Sequence, residues 1–317
     1  PSAAAPRSLA DAAPDSQVHN FLSSVYFDGE DGGQAACCFR RRIAQEEGAQ
    51  LFRIRWYGGV RGPDGLPRPT GADTLFFLEL KTHHNFEMTS QKSTKERFAL
   101  RGNLVSPFLR GELPAAEAVR LMEADASCKK PPTEEKRAKT LALAHFIQQL
   151  VLRERLQPRV RTVYHRTAFQ LSDSNDVRIS LDLPVYLLPE LGAGRRPWDG
   201  DFLALTLDSR FPRAEPFTHG VLEVKTSDAA PAWVEDELEG SGIPVAMPKF
   251  SKFQHGFAVH YSPTTPIVPY WMDSWREQRA QLLAPLPVDH TGRDRGERAS
   301  LETPLANWGA SDGISSH

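Results

Sequence analysis

Arginine, lysine and glutamate recur on alternate positions of runs that otherwise read as buried β-strand. LFRIRWY carries Arg53 and Arg55, LFFLELKTHH carries Glu79 and Lys81, TVYHRTAFQL carries Arg166, DVRISLDL carries Arg178, and GVLEVKT carries Glu223 and Lys225. Successive side chains of a strand point to opposite faces, so Arg53 shares a face with Arg55, Glu79 with Lys81, and Glu223 with Lys225. The residues between and beside them (Phe52, Ile54, Trp56, Phe77, Leu78, Leu80, Val221, Leu222, Val224) are apolar enough to pack. One such strand is ordinarily half of an antiparallel sheet whose polar face meets water. Here the polar positions hold Arg and Lys in place of the usual Thr, Ser, Gln and Asn, and clustered like charges cost stability unless something neutralises them. The pattern predicts an apolar outer face and a cationic inner face whose natural guest is a polyanion.

PVAMPKFSKFQHGFAVH (244–260) adds a second anion signal. Ser251 followed three positions later by Gln254 matches a capping box, so a helix is expected to start there. Phe250, Phe253 and Phe257 would pack it, while Lys249 and Lys252 flank an N-terminus whose free N–H groups already favour an anion.

These groups need a frame. With 317 residues the chain suits one large domain or two small ones, and its formal net charge of -2 leaves no global basic field, so no nucleic-acid partner is expected. Cys37, Cys38 and Cys128 form neither a disulfide framework nor a CxxC pair, which fits a reducing compartment. PSAAAPRSLADAAPDSQ has no apolar core of the signal-peptide kind. The weakly charged stretch 256–272 is interrupted by Pro263, Pro266 and Pro269, too short and broken to span a bilayer. Strands are expected at 22–27, 36–43, 51–57, 74–82, 160–171, 176–183 and 219–226, with another near 201–207. Helices are expected over 93–124, with a break at Ser106-Pro107, over 134–156, and from Pro231 to about Gly240. In this scheme 1–19 is disordered, 20–262 is one domain, and 263–317 is a flexible tail or linker.

The segments SVYFD (24–28), FRIRWYGG (52–59), ELKTHH (79–84), QKSTKERFAL (91–100), RTVYHRTAFQL (161–171), VRISLD (177–182), LEVKT (222–226) and PKFSKFQHG (248–256) together resemble the catalytic domain of the vacuolar transporter chaperone (VTC) polyphosphate polymerases. Those belong to the triphosphate tunnel metalloenzyme superfamily. The resemblance spans about residues 22–262 in order and implies an α+β fold: an antiparallel β-barrel tunnel (CYTH-like) with helices packed outside. It assigns Arg53 and Arg55 to the RxR pair that grips a nucleotide triphosphate, with Lys81, Arg166, Arg178 and Lys252 as further phosphate ligands. Tyr164 would share the face of Arg166. Lys92 and Lys95 resemble tunnel-lining lysines, and Lys249, Ser251 and Lys252 the phosphate-binding PKFSK motif. His83 matches a family histidine and Lys225 lies beside Glu223, which resembles the carboxylate that holds Mn²⁺ or Mg²⁺.

The implied reaction passes the γ-phosphate of ATP to a growing polyphosphate chain and releases ADP. Such chemistry is mainly positioning and charge stabilisation, for which Arg gives a bidentate fork and Lys a point charge. Two alternatives stay open: a non-catalytic accessory subunit that binds polyphosphate, and a tunnel-type hydrolase of triphosphate or short polyphosphate. Phe77-Leu78-Glu79-Leu80-Lys81 lacks the first Glu of the hydrolases' ExExK, which favours the polymerase branch. Glu79 could join Glu223 on the metal or pair with an arginine, and Glu223 could serve only as a counter-ion of Lys225. Adjacent histidines on a strand face opposite ways, so His83 and His84 are not expected to share an ion. The family's lysine-bearing first strand has no counterpart in residues 1–19. The resemblance further implies other VTC complex subunits as partners and the cytosolic face of a vacuolar or acidocalcisome-type membrane as location. Membrane attachment would come only through segments outside this sequence, which by itself reads as soluble.

Overall fold

Alternation along Leu75–Thr82 becomes the two sides of a sheet: Phe76, Leu78 and Leu80 are buried on one side, while Phe77, Glu79 and Lys81 take the other. In the computed structural model the described residues run from 18 to 283, apart from 30–37, 62–66, 70, 129, 173, 191–199, 208–214, 228, 243 and 262–266. The expected disorder at 1–19 and the segment beyond 283 lie largely or wholly outside them.

The elements in chain order are β1 (Val18–Asp28), α1 (Cys38–Ile43), β2 (Gln50–Tyr57), β3 (Val60–Arg61), β4 (Pro67–Arg68), β5 (Leu75–Thr82), α2 (Phe86–Thr89) and β6 (Thr94–Arg101). There follow α3 (Gly102–Leu109), α4 (Ala115–Ala124), α5 (Glu134–Arg153), β7 (Gln157–Gln170), β8 (Val177–Pro189) and α6 (Phe202–Leu207). The described part ends with β9 (Glu215–Phe217), β10 (Val221–Thr226), α7 (Ala232–Ser241), α8 (Lys252–Tyr261) and α9 (Met272–Leu283). The fold is α+β. An antiparallel sheet runs in the order β10-β8-β7-β1-β2-β5-β6, with β9 also paired to β8. Among the described residues the pairing does not return from β6 to β10, so the sheet is not closed.

Phe27, Phe52, Ile54, Trp56, Phe76, Leu78, Phe98 and Leu100 form the outer face and merge with α3, α4, α5 and α6 into one core. α5 is the helix its apolar spacing predicts: Thr133 Oγ1 accepts from Lys136 N at its start, and Leu143, Ala144, Ile147, Leu150 and Val151 are buried. Phe146 lies exposed instead. No described helix is long and apolar enough to cross a membrane.

Four local expectations give way. Residues 94–101 are strand β6, not helix: an edge strand exposed on both sides over its first half shows no alternation to read. Residues 38–43 are helix, not strand, because the Asp28 carboxylate accepts from Cys38 N at 2.6 Å and Phe39 N at 3.0 Å, a cap ten residues away in sequence. The apolar run 202–207 is also helical, with Phe202 N donating to Ser106 Oγ at 2.9 Å. From 272 the polar composition hides a helix, α9, anchored by the buried Trp271 and Met272.

Candidate functional site

Strand register sets the site. On β1, Ser24 and Tyr26 lie opposite Arg55 and Arg53 of β2, which lie opposite Phe77 and Glu79 of β5. Glu79 and Lys81 lie opposite Arg97 and Lys95 of β6. On the other flank Arg166 of β7 lies opposite Asp182 of β8, and Ser180 and Arg178 lie opposite Glu223 and Lys225 of β10. All of these share the face away from the core. A bulge places Asp182 there: Tyr164 pairs with Val185 but Arg166 pairs with Asp182, so β8 carries one extra residue and its parity reverses. Bulges commonly re-aim a side chain in this way beside functional sites.

Helix α8 crosses one end of this face. Phe253 stacks on Tyr26 at 5.4 Å, and Lys252 Nζ sits 4.8 Å over the Tyr164 ring. Gly256 permits the close approach, since a Cβ there would meet Val160 Cγ1 at 2.7 Å. The predicted cap forms, with Ser251 Oγ accepting from Gln254 N at 3.4 Å.

The charges divide into compensated and uncompensated groups. Arg53 is buried, bonded through Nε (2.7 Å) and Nη2 to Glu79 and through Nη1 (2.9 Å) to Tyr26 Oη. Glu79 is fully buried, and although burial opposes its ionisation, the charges of Arg53 and Arg55 hold its carboxyl down at about 2. It is therefore the counter-ion of Arg53. Asp182, also fully buried, accepts from Arg166 at 2.5 and 2.7 Å and from Lys252 at 2.7 Å, tying β7, β8 and α8 together. Arg55 has only neutral partners, Ser24 Oγ at 3.0 Å and Tyr164 Oη at 3.1 Å. Among the described residues Arg55, Lys81 and Lys95 have no carboxylate within 4.0 Å. Burial, then the charge of Arg53, lowers Lys81 to about 8. Burial would raise the Tyr26 phenol, but Arg53, Lys81 and Arg55 bring it down to about 7. Such a surface is short of negative charge and suited to a polyanion.

Other predicted residues lie nearby in different roles. Tyr164 is buried on the inner face beneath Arg166, 5.4 Å from its guanidinium to ring centre. Glu223 is half-exposed, 3.2 Å from Lys225 Nζ and 3.7 Å from Arg166, and Lys225 keeps its carboxyl low against burial. Arg178 is exposed at the start of β8. Lys92 is exposed just before β6 and Lys95 on it. Lys249 has a positive φ of 58° and bonds Gln45 Oε1. The half-buried His83 titrates low, first from burial and then from the charges of Arg42 and Lys249. His84 turns away to pair with Glu47 at 2.5 Å. Sequence reasoning missed Tyr26, Ser24, Asp182, Arg97 and Arg42. For Arg97 the signal was its spacing of two from Lys95, hidden by reading that segment as helix.

A model of the VTC domain family matches residues 6–261. The chain belongs to the VTC domain family. The VTC domain is 33% identical over 261 residues to Vacuolar transporter chaperone complex subunit 4 of Schizosaccharomyces pombe, covering 79% of this chain and 33% of that one. It is also 33% identical to the subunit 4 of Trypanosoma brucei brucei, covering 79% and 30%. It is 28% identical to subunit 2 of Schizosaccharomyces pombe, covering 74% and 31%. The chain thus spans about a third of the length of these relatives.

One pH effect follows from the VTC domain's geometry. A bound polyanion raises the Lys81 pKa from about 8, and a Tyr26 phenolate must take up a proton to tolerate it. Both act in the same direction, so if this face is a polyanion site its affinity for inorganic tripolyphosphate is expected to fall as pH rises through 7 to 8. At pH 8.5 the wild type takes up more protons on binding than Lys81→Met, as read by calorimetry in buffers of different ionisation enthalpy. Equal uptake by the two proteins would rule out this coupling.

Proposed function

We propose that this VTC domain is a polyphosphate polymerase, transferring the γ-phosphoryl group of ATP to the end of a growing polyphosphate chain. The carrying observation is the set of cations without counter-ions among the described residues, Arg55, Lys81 and Lys95, on the same face as Arg166 and Lys252. An oxygen of the terminal phosphate of the acceptor forms a bond to the γ-phosphorus while the bond from that phosphorus to the β–γ bridging oxygen breaks, and ADP leaves with that oxygen. No side-chain nucleophile is needed. In this reading the charged face is one wall of a tunnel, α8 covers one end, and Lys95 and Lys92 extend the cationic path. Arg55, Arg166 and Lys252 stabilise the charge that spreads over the transferring group. Arg53 shapes the wall through Glu79, and Asp182 positions Arg166 and Lys252.

The donor set fits a divalent ion of one kind only. No three His, Cys, Asp or Glu side chains gather among the described residues. Glu223 offers one ionised carboxylate, which suits Mg²⁺ or Mn²⁺ bound mostly by substrate phosphates and water. Such an ion would neutralise phosphate charge. Glu223→Ala is expected to lower Mn²⁺-dependent turnover at least about 100-fold and to leave thermal stability unchanged, since Glu223 is half-exposed. Unaltered activity would refute the role.

The chain is more similar to the relatives called subunit 4 than to those called subunit 2, which supports a catalytic reading over an accessory one. The same names, which speak of a vacuolar complex with several subunits, support other complex subunits as partners and a vacuolar association; the cytosolic face of a vacuolar or acidocalcisome-type membrane is the finer location we propose. Incubation with ATP and Mn²⁺ tests the function: polymer should appear with one ADP per phosphate added. Tight polymer binding without turnover would mean an accessory subunit, and release of free phosphate a hydrolase.

A further inference from the structure

We propose that the pocket at the end of the cationic face opposite α8 binds the nucleobase of the triphosphate donor. Along β2, Arg53 lies in register with Tyr26, which Phe253 of α8 covers. Arg55 comes next, then Tyr57, each step between same-face residues being about 6.6 Å. The chemistry changes along that line. Beyond Arg55 lies a pocket of about 370 Å³ whose described lining residues, Tyr57, Gly59, Pro69, Thr74, Leu75 and Phe77, carry no charge. That volume falls within the ~300–1,000 Å³ usual for small-molecule sites.

Phe77 lies directly opposite Arg55, so pocket and charged face are continuous. The rings of Tyr57 and Phe77 meet at 85° with centroids 5.5 Å apart, and the Arg97 guanidinium lies 4.9 Å over Phe77. Tyr57 nevertheless keeps 42% of its surface exposed. Two fixed aromatic rings with one still open to solvent make a stacking platform for a flat, uncharged ring. A nucleoside triphosphate has this polarity: three anionic phosphates, then one ribose, then an aromatic base. With its phosphates along Arg55 and the cations beyond, its base falls on Tyr57.

This inference rests on the inner face being a triphosphate site, and the experiment separates the two. The non-hydrolysable ATP analogue AMP-PNP and inorganic tripolyphosphate are titrated calorimetrically into wild type, Tyr57→Ala and Phe77→Leu. Stacking on a platform of this kind is worth roughly tenfold in affinity. Tyr57→Ala should weaken AMP-PNP by about that factor and leave tripolyphosphate within about twofold, which also reports an intact fold. Phe77→Leu should do the same more weakly, since Arg97 and Tyr57 lose their support. AMP-PNP affinity unchanged in both variants, or AMP-PNP and tripolyphosphate weakened together, would overturn the base site while leaving the triphosphate site standing. Failure of the wild type to bind either ligand would overturn both.

Discussion

Arg53→Ala lowers the unfolding free energy by about 3–5 kcal/mol, the usual consequence of stranding a buried charge, and this loss precedes any effect on ligand. Arg53 looks in sequence like a phosphate-gripping residue. In the fold its guanidinium is buried, with Nε and Nη2 committed to Glu79 and Nη1 to Tyr26. Removing it leaves Glu79, itself fully buried, with the 3.5 Å contact to half-exposed Arg97 as its one ion pair among the described residues. Urea denaturation measures the loss. Adding Glu79→Gln to Arg53→Ala should recover part of it, because the stranded charge is the cause. A wild-type midpoint for Arg53→Ala would show that the pair does not hold the sheet together. Loss of activity in Arg53→Ala therefore says little about phosphate binding.

Arg55→Ala gives the opposite pattern. Arg55 is nearly as buried, but its partners are the hydroxyls of Ser24 and Tyr164, so no counter-ion is stranded when it goes. A charge-assisted contact to phosphate is worth about 1.5–3 kcal/mol, so tripolyphosphate affinity should drop roughly ten- to hundredfold. The melting temperature should fall less than in Arg53→Ala, because Glu79 keeps its ion pair with Arg53. Calorimetric titration and thermal melting read the two effects on one sample. Weakened folding with unchanged affinity would mean that Arg55 is structural.

The difference between these two arginines was not legible in the sequence. RIR shows that both face one way, and alternation with Phe52, Ile54 and Trp56 shows that the other face is core. Which arginine is spent depends on what lies opposite: Glu79 meets Arg53 while Phe77 meets Arg55, and cross-strand register is a tertiary fact. Asp182 was hidden for a related reason. Strict alternation from Arg178 through VRISLD puts it on the charged face, but that Arg166 lies opposite it on β7 and that Lys252 reaches it from α8 are tertiary facts. Residues 94–101 were misread because Lys, Glu, Arg, Ala and Leu are good helix formers, and an edge strand lacks the alternation that would have overruled them. The start of α8 was readable because its cap is local, whereas that of α1 reaches back to Asp28. Local signals carried strands β1, β2, β5, β7, β8 and β10, the two faces and the helix that covers one end. Long-range pairing decided which charges are free.

Whether the charged face of the sheet is the polyanion site is tested most directly by a crystal structure of the chain with inorganic tripolyphosphate. Phosphate density within hydrogen-bonding distance of Arg55, with its chain running toward Lys81 on one side or Arg166 and Lys252 on the other, is the predicted result. Density confined to the exposed lysines outside that face, or a face left empty at saturating ligand, would contradict it.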